Sequence, residues 1–419
     1  MTSPLLCAID IGSSKIATIC AVESKDGDEL QVIGYNLIPS KGVRKGLIVD
    51  IDEATIVLEE SIEKAERMSG HKINHAFVSV GGPHISSFNS HGIVAVANPQ
   101  GEINEDDVMR AIEAARAISI SNTREIIEVL PRDYIVDGQP GIKNPVGMSG
   151  VRLEVDTHII TASQTNIKNI NRSLNDLGIE NHGFIFSGLA SAEAVLTETE
   201  KELGVVLVDI GGGKTDLCIY VEGSLAFSGS LAVGAKNITN DIAVGLRISL
   251  DSAEKVKLFL TKEAGKIKKK SEEINFSQLN LAENLSSISY KTLVEGIMSP
   301  RLEEIYKLIF EEIEKSGFGH NVPSGLVITG GGAQTVGMVD IGKKVLGLPI
   351  RIGVPENITG LTDEILSPPF ASTVGLILYG KKNTITEKSN FKNFNRILKD
   401  FSFDSSFSKV KNFFKQFIP

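Results

Sequence analysis

Two stretches of the chain repeat one pattern of apolar and polar positions. Each is an apolar run that ends in Asp-Ile-Gly, turns through small and polar residues, and continues as a second apolar run. The first, LLCAIDIGSSKIATICAV, begins at Leu5, and the second, VVLVDIGGGKTDLCIYV, begins at Val205. Apolar runs joined by a glycine turn predict β-hairpins. Because the pattern occurs twice, we expect two related α/β halves with a cleft between them.

A third glycine cluster lies in the last third of the chain. Gly330, Gly331 and Gly332 follow the apolar run GLVIT and precede valines at helical spacing. This pattern is typical of a strand-to-helix turn. Between the glycine sites, residues 83–162 alternate in the manner of strands and turns, whereas residues 246–321 have the pattern of charged helix. Both segments are predicted to be subdomains inserted into the halves.

The pattern changes again after Tyr379. Residues 383–405 are polar and basic with few aliphatic side chains, which predicts a linker. Residues 406–419 place apolar side chains on one arc of a helix with lysines beside it, which predicts a basic amphipathic helix for anionic membrane lipids. The predicted membrane contacts are Phe407, Val410, Lys411, Phe413, Phe414, Lys415, Phe417 and Ile418. The alternative is an ordinary terminal helix that packs on the globular body.

Composition narrows the class of protein. The 419 residues are 42% hydrophobic and 23% charged, which favours two or more globular domains over disorder. A net charge of -9 argues against broad nucleic-acid binding, and three cysteines without a CxxC pair argue against a disulfide framework or a thiolate metal site. Because the sequence shows neither a signal-peptide pattern nor an apolar run long enough to span a bilayer, we expect a cytoplasmic protein with at most peripheral membrane contact.

The two hairpin turns carry the groups that a magnesium–nucleotide complex needs. The backbone of a glycine turn approaches phosphates closely, and a carboxylate holds the water around the metal. Asp10 and Asp209 are the predicted carboxylates. The predicted phosphate contacts are Gly12, Ser13, Ser14 and Lys15 in the first turn and Gly211, Gly212, Gly213, Lys214 and Thr215 in the second. Ordinary turn chemistry is the alternative for either copy alone, but two copies favour one nucleotide held from both sides.

The third cluster, from Gly330 to Ala333, completes the predicted nucleotide site. A Cβ at a residue beside an adenine ring would collide with the base, so glycine lets the backbone lie flat against it. A simple strand-to-helix turn is the alternative. The segment GGGKT is not a P-loop, because Val208 occupies the position where GxxxxGK[ST] requires glycine.

Several motifs together resemble those of the FtsA family, the actin-like division proteins of bacteria. They are AIDIGSSK, GLASAEAVL, GVVLVDIGGGKTDL, LVITGGGAQ and NITGLTDEI, together with HAFVSVGGPHISSFNSHGIVAV at the start of an insert. The resemblance implies an actin-like ATPase fold, in which two duplicated ribonuclease-H-like halves hold a nucleotide in the cleft and an insert called 1C replaces the usual 1B. It implies these subdomains: 1A at 1–82, 163–202 and 365–382; 1C at 83–162; 2A at 203–245 and 322–364; and 2B at 246–321.

The resemblance also implies ligands for particular residues. The cofactors would be ATP and Mg²⁺, with Asp10 and Asp209 reaching the metal through water. Glu254 and Lys257 would approach the ribose and adenine, and an exposed helical charge pair is the alternative. Arg301 would dock the carboxy-terminal tail of FtsZ, and a salt-bridged helix start is the alternative.

Ser187 bears on catalysis. It stands in FSGLASAEA where Hsp70-like relatives carry an acid that orients the attacking water. Because a hydroxyl group is a poor base, we expect ATP hydrolysis to be slow or absent, with ATP acting mainly as a ligand that closes the cleft.

The expected function is that of a division scaffold at the cytoplasmic face of the bacterial inner membrane. The protein would bind ATP, polymerise, hold the FtsZ ring at the membrane through its terminal helix, and recruit later division proteins through residues 83–162. A small-molecule kinase of the same superfamily and an actin-like pilus-assembly scaffold are the alternatives. The terminal helix and the insert favour the division scaffold.

Overall fold

A computed structural model describes residues 5–24, 29–98, 100–263, 273–283, 285 and 287–382. The strands are β1 (Leu5–Ile11), β2 (Lys15–Glu23), β3 (Leu30–Pro39), β4 (Val43–Arg44), β5 (Leu47–Ile48), β6 (His75–Val80), β7 (Ser86–Ala95), β8 (Arg124–Val136), β9 (Gln139–Ile142), β10 (Arg152–Ser163), β11 (Glu180–Phe186), β12 (Val205–Ile210), β13 (Thr215–Val221), β14 (Ser224–Leu231), β15 (Glu273–Asn275), β16 (Ser287–Ser289), β17 (Leu326–Thr329), β18 (Ile350–Ile352) and β19 (Ile358–Gly360). The helices are α1 (Ile51–Ser69), α2 (Glu105–Arg116), α3 (Gln164–Asp176), α4 (Ser187–Val195), α5 (Glu198–Leu203), α6 (Ala235–Leu246), α7 (Leu250–Glu263), α8 (Ser299–Ser316), α9 (Met338–Leu346) and α10 (371–382), with a π-helical segment at Lys291–Met298.

Two sheets repeat one strand order. In the first sheet β1, β2 and β3 are antiparallel and β6 pairs parallel with β1. In the second sheet β12, β13 and β14 are antiparallel and β17 pairs parallel with β12. The complete orders are β11-β6-β1-β2-β3-β19 and β18-β17-β12-β13-β14. The repeated sequence pattern therefore corresponds to a repeated sheet, as predicted for two related halves.

The hydrophobic pattern follows from where each strand lies in its sheet. β1 and β12 are buried along nearly their whole length, which explains their continuous apolar runs. The helices show the 3.6-residue period instead: α1 buries Ala54, Leu58 and Ile62 in successive turns. The side chain of Asp50 caps α1 by accepting the N–H of Glu53 at 3.0 Å.

Residues 86–163 form a separate small sheet, in the order β7-β10-β8-β9, that packs on α2. Asn104 begins α2 with a reciprocal capping box: its side chain accepts the N–H of Asp107, whose carboxylate accepts the N–H of Asn104. The sheet and the helix enclose their own core, which includes Ala111, Leu153 and Val155. This insert is therefore a compact subdomain with its own buried apolar side chains.

The insert also contacts the edge of the second sheet, at β14. Ser87 Oγ donates to the carbonyl of Ser228 at 2.7 Å, and Asn89 Nδ2 donates to the carbonyl of Ala226 at 3.3 Å. The buried His158 lies between the two elements, with Nδ1 2.8 Å from Asn89 Oδ1 and Nε2 2.9 Å from Ser228 Oγ. Side chains of the insert thus occupy an edge strand that would otherwise expose its backbone.

One predicted boundary is wrong. The sequence assigned residues 322–364 to the second half, but β19 at Ile358–Gly360 pairs with β3 in the first sheet. The chain therefore returns to the first half before residue 365. This return was not predicted, because three residues of edge strand are too short to give a sequence signal. Within the residues that the structure describes, no helix is both long enough and apolar enough to span a bilayer.

Candidate functional site

The two hairpin turns share one hydrogen-bonded geometry. In the first turn the N–H of Gly12 donates to the carbonyl of Lys15 at 3.0 Å, and in the second the N–H of Gly211 donates to the carbonyl of Lys214 at 2.9 Å. The strands on either side also pair in equivalent registers. The duplication therefore extends to the backbone of the predicted phosphate contacts.

The turns approach each other closely. A Cβ on Gly212 would lie 2.7 Å from the Cβ of Ser14, and a Cβ on Gly213 would lie 3.0 Å from the Cβ of Ser13. Side chains rarely tolerate such approaches, so both positions favour glycine. Lys236 in the first turn of α6 bridges the halves by donating from Nζ to the carbonyl of Ser13 at 2.6 Å. The two turns therefore enclose one narrow cleft.

The two predicted metal carboxylates lie at this cleft and are held by hydroxyl groups. Asp10 Oδ1 accepts Ser79 Oγ at 2.6 Å and Ser372 Oγ at 3.2 Å. Asp209 Oδ2 accepts Ser191 Oγ at 2.5 Å. Because these bonds fix the orientation of each carboxylate, the cleft presents two preorganised anionic groups.

The electrostatics of Asp209 favour a cation nearby. Burial raises its pKa to about 6, and the negative charges of Asp216 and Asp10 add to the rise. A bound cation would offset both effects, since it would stabilise the ionised carboxylate. Within the described part of the chain, no cluster of three or more His, Cys, Asp or Glu residues could hold a metal by itself. A cation here would therefore take most of its ligands from water and from a bound anion.

The side chain of Lys15 places its amine in the cleft. Its Nζ is buried and, among the described residues, has no hydrogen-bond partner; it lies 5.4 Å from the centre of the Phe370 ring. Burial lowers the pKa of Lys15, against the opposing effect of the Asp10 and Asp209 charges. A buried amine that lacks a hydrogen bond costs free energy unless a ligand supplies the acceptor.

Most of the predicted nucleotide residues line a single cavity. They are Asp10, Gly12, Ser13, Ser14, Lys15, Asp209, Gly211, Gly212, Gly213, Lys214, Gly330 and Gly331. Four further lining residues were not predicted as nucleotide contacts, namely Ser187, Asp216, Pro369 and Ser372. Asp216 had a sequence signal, because an aspartate inside the apolar strand TDLCIYV must be buried with partners.

The third glycine cluster divides into two roles. A Cβ on Gly330, which has a φ of +81°, would lie 2.2 Å from Asp209 Oδ1, and a Cβ on Gly332 would lie 2.5 Å from Ile210 Cγ2. These two glycines are therefore required by the protein's own packing. Gly331 differs, since a Cβ there would meet nothing within 4 Å and would project into open space. Ala333 is buried behind the turn and does not line the cavity.

Besides Gly332 and Ala333, three more predicted contacts lie outside the cavity, namely Thr215, Glu254 and Lys257. The prediction that Thr215 contacts the phosphates is corrected for its side chain. Strand alternation turns that side chain into the core, where Oγ1 donates to the carbonyl of Val233 at 2.8 Å. Lys257 and Glu254 on α7 pair with each other at 2.7 Å, and both contact Thr239. Lys257 is buried, so the pair is more than an exposed helical charge pair.

Arg301 lies in the first turn of α8, and two carboxylates occupy its guanidinium. Nε donates to Asp241 Oδ2 at 2.5 Å and Nη2 to Asp241 Oδ1 at 3.0 Å, while Nη1 donates to Glu304 Oε2 at 2.6 Å. The arginine is thus salt-bridged at a helix start, and a docking peptide would have to share or displace these carboxylates. The predicted linker and membrane helix, 383–405 and 406–419, lie outside the described residues.

Comparison with known proteins decides the family. A family model described as "SHS2 domain inserted in FTSA" matches residues 82–161, and "Cell division protein FtsA" matches residues 206–375. The protein named cell division protein FtsA of Pseudomonas aeruginosa is 37% identical over 376 residues, covering 90% of this chain and 89% of its own length. This chain belongs to the FtsA family of cell division proteins. Other members are FtsA of Borreliella burgdorferi, 38% identical over 379 residues, and of Escherichia coli K12, 34% identical over 386; for each, 90% of this chain and 91% of the relative are covered.

Solved structures confirm the predicted fold of this FtsA-family chain. The PilM–PilN type IV pilus biogenesis complex contains a chain with a TM-score of 0.61 at 15% identity, covering 90% of this chain and 98% of that one. MreB5 of Spiroplasma citri bound to ADP has a TM-score of 0.51 at 15% identity, covering 93% and 98%. Together with the matched insert, these likenesses confirm the predicted actin-like ATPase fold with a subdomain 1C.

Proposed function

We propose that this protein is an ATP-binding, actin-like scaffold of bacterial cell division that polymerises and tethers FtsZ to the inner membrane. The observation that carries the proposal is the cleft of an FtsA-family chain, in which two equivalent glycine turns and two aspartates face one cavity. Later division proteins are the proposed partners of the insert at 83–162. The proposed site of action is the cytoplasmic face of the membrane, at the division site.

ATP fits the residues that line the cleft. Lys15 supplies a buried amine that has no hydrogen-bond acceptor in the part of the chain that the structure describes, and Gly331 leaves open space where a flat ring could lie against the backbone. Both features suit an anionic ligand with an adenine base. A protein of the same fold, S. citri MreB5, has been solved with ADP and with AMPPNP bound. In our proposal the turns hold the phosphates, and Asp10 and Asp209 hold Mg²⁺ through water.

Glu254 and Lys257 keep their proposed place beside the ribose and adenine. The pair contacts Thr239 on α6, the helix whose first turn reaches across the cleft through Lys236. The charges of Glu254 and Lys257 both influence the pKa of Lys236, which burial lowers overall. The pair therefore lies close enough to the cleft for a nucleoside to reach it.

For FtsZ, we propose that Arg301 on the second half binds the carboxy-terminal tail. The arginine is about a quarter exposed, so a peptide carboxylate can reach it. Because Asp241 competes for the same guanidinium, Asp241→Asn should strengthen binding of an FtsZ tail peptide, by about threefold. Arg301→Glu should weaken binding by about tenfold or more, as measured by fluorescence anisotropy.

The matched control for this pair is Lys315→Glu, which reverses a charge on the same helix at its exposed far end. It should leave the affinity for the tail peptide unchanged. If Arg301→Glu and Lys315→Glu weaken binding equally, the effect is one of net charge and the tail docks elsewhere.

Membrane attachment is proposed from the sequence of residues 406–419. One weak helix per subunit binds marginally, whereas a filament that presents many such helices binds with multiplied avidity. Co-sedimentation with anionic liposomes in Mg-ATP tests this. The full chain should pellet, whereas a chain that ends at Ser405 should stay in the supernatant.

A matched pair of substitutions separates a membrane helix from an ordinary terminal helix. In the helix that the sequence predicts, Phe414 would lie in the apolar arc and Asn412 opposite it. Phe414→Glu should abolish pelleting, whereas Asn412→Glu, with the same added charge, should retain most of it. Equal loss in both variants would indicate simple repulsion from anionic lipid, and no pelleting of the full chain would overturn the tether.

A further inference from the structure

Asp216 is a third carboxylate at the cleft, beyond the two proposed for the metal. Its Oδ2 accepts Ser187 Oγ at 2.6 Å and also contacts Lys214 Nζ, while its Oδ1 accepts Ser230 Oγ at 2.6 Å. The side chain of Asp216 is only 1% exposed. Both of its oxygens are therefore occupied by groups of the protein itself.

The local backbone is built around this cluster. Because side chains alternate along β13, Asp216 faces the cleft, whereas its neighbour Thr215 faces the core. Lys214 Nζ also donates to Ser187 Oγ at 2.5 Å. A Cβ on Gly81 would lie 2.1 Å from Lys214 Nζ and 2.2 Å from Ser187 Oγ, so a side chain at this position would displace the amine or the hydroxyl group.

Lys214 belongs to two sites at once. Its backbone forms the second phosphate turn, so the side chain starts beside the place proposed for the phosphates. Burial opposes a charge on the amine, but the charges of Asp216 and Asp209 outweigh that effect and raise the pKa of Lys214. The ammonium group carries three N–H groups, of which Asp216 and Ser187 accept two, and its flexible stem allows it to move from this pair to an added anion.

We propose that Lys214 changes partner when ATP binds, and that this frees Asp216 to position the water that attacks the terminal phosphate. The proposal rests on ATP binding at the cleft. Without ATP, the amine neutralises Asp216 and withholds it from water. With ATP, the amine moves to the terminal phosphate, and Asp216 and Ser187 hold the attacking water by hydrogen bonds.

The reaction is hydrolysis of the terminal phosphoanhydride. The water oxygen forms a bond to the γ-phosphorus as the bond from that phosphorus to the β,γ-bridging oxygen breaks, and ADP leaves with the electron pair. One water proton passes to Asp216 and then to the released phosphate, so the carboxylate is regenerated. In this scheme Asp216 does the work of the acid whose position Ser187 occupies. Hydrolysis stays slow because Lys214 competes with the attacking water for Asp216.

Affinity for ATP gives a test that does not depend on turnover. Asp216→Asn removes the competitor for the amine and should tighten ATP binding about three- to fivefold, whereas Lys214→Met should weaken it about tenfold. In the Lys214→Met background, Asp216→Asn should change the affinity less than about twofold, because the partner exchange is already lost. Lys64→Met, which removes a surface lysine paired with Glu60, is the matched control and should bind as the wild type.

The hydrolysis rate at saturating ATP completes the test. Asp216→Asn should lower it by about tenfold or more despite its tighter binding. If Asp216→Asn fails to fold, Ser187→Ala leaves the charge pair in place and should still slow hydrolysis severalfold. Equal tightening by Asp216→Asn in both backgrounds would show simple repulsion and overturn the exchange.

Two outcomes separate this proposal from the function on which it rests. If the wild type binds ATP but hydrolyses it no faster than Asp216→Asn, the water-positioning role of Asp216 is wrong while ATP binding stands. If the wild type does not bind ATP at all, the proposed ATP function fails, and the partner exchange fails with it.

Discussion

Lys15 illustrates at the residue scale how a buried polar atom points to a ligand. An ammonium group without a hydrogen-bond acceptor is costly in a folded protein, so its retention implies an acceptor that arrives with a bound anion. We expect Lys15→Met to weaken ATP binding by about tenfold or more. Because the substitution removes an unsatisfied charge, the melting temperature without ATP should stay the same or rise.

Titration calorimetry with Mg-ATP and thermal unfolding without it check both parts of the Lys15 prediction. Lys64→Met again serves as the matched control. A variant that keeps full affinity but loses stability would show that Lys15 is a structural residue.

The sequence did not reveal the residues whose hydrogen-bond partners are distant along the chain. Asp10 and Asp209 could be predicted, because each ends an apolar strand at a glycine turn. Ser79 and Ser372, which hold Asp10, lie far from it in sequence and only the fold brings them together. Thr215 was predicted wrongly because the sequence motif does not show which way each side chain of the strand points.

At the scale of elements, the contact between the insert and β14 carries a pH dependence. Burial, aided by the charge of Arg132, lowers the pKa of His158 to about 3 from an ordinary value of 6.5. The unfolded chain therefore binds a proton first as the pH falls, and folding loses stability below pH 6.5, by about 1.4 kcal/mol per pH unit until the pH approaches 3. His84, whose pKa burial lowers to about 4, adds a parallel dependence.

The variant His158→Gln should separate the contribution of His158 to the pH dependence of stability from that of His84. We expect the variant to be less stable at pH 7.5, by about 1 kcal/mol, because it loses hydrogen bonds to Asn89 and Ser228. Its urea midpoint should nevertheless fall less steeply between pH 6.5 and pH 4.5 than that of the wild type. The surface variant His71→Gln should keep the wild-type slope, and an unchanged slope in His158→Gln would contradict the buried neutral imidazole.

Elements with a local signal were predicted well. The hairpins around both glycine turns could be read from apolar runs, and the third turn from a strand followed by helical spacing. β19 was missed because three residues at a sheet edge are too few to show a period. The contact of the insert with β14 could not be predicted either, since it depends on tertiary packing.

At the scale of the whole molecule, duplication explains why one cavity has two similar walls. Each half contributes a turn, a carboxylate and a sheet of the same strand order, and the third turn adds backbone from the second half. A nucleotide that contacts both halves would favour the closed arrangement, since it binds only where the turns lie together. This is the physical reason to expect ATP to control assembly of the proposed scaffold.

Gly331→Val tests most directly whether a nucleotide occupies this cleft against the third turn. The protein has room for a side chain at Gly331, so the fold and melting temperature should be unchanged, whereas the added methyl groups would occupy the space proposed for the adenine. Gly296→Val, at another exposed glycine, is the matched control. By calorimetric titration with Mg-ATP, we predict that the wild type and Gly296→Val bind alike and that Gly331→Val loses about tenfold or more in affinity. Wild-type affinity in a folded Gly331→Val variant would contradict the account.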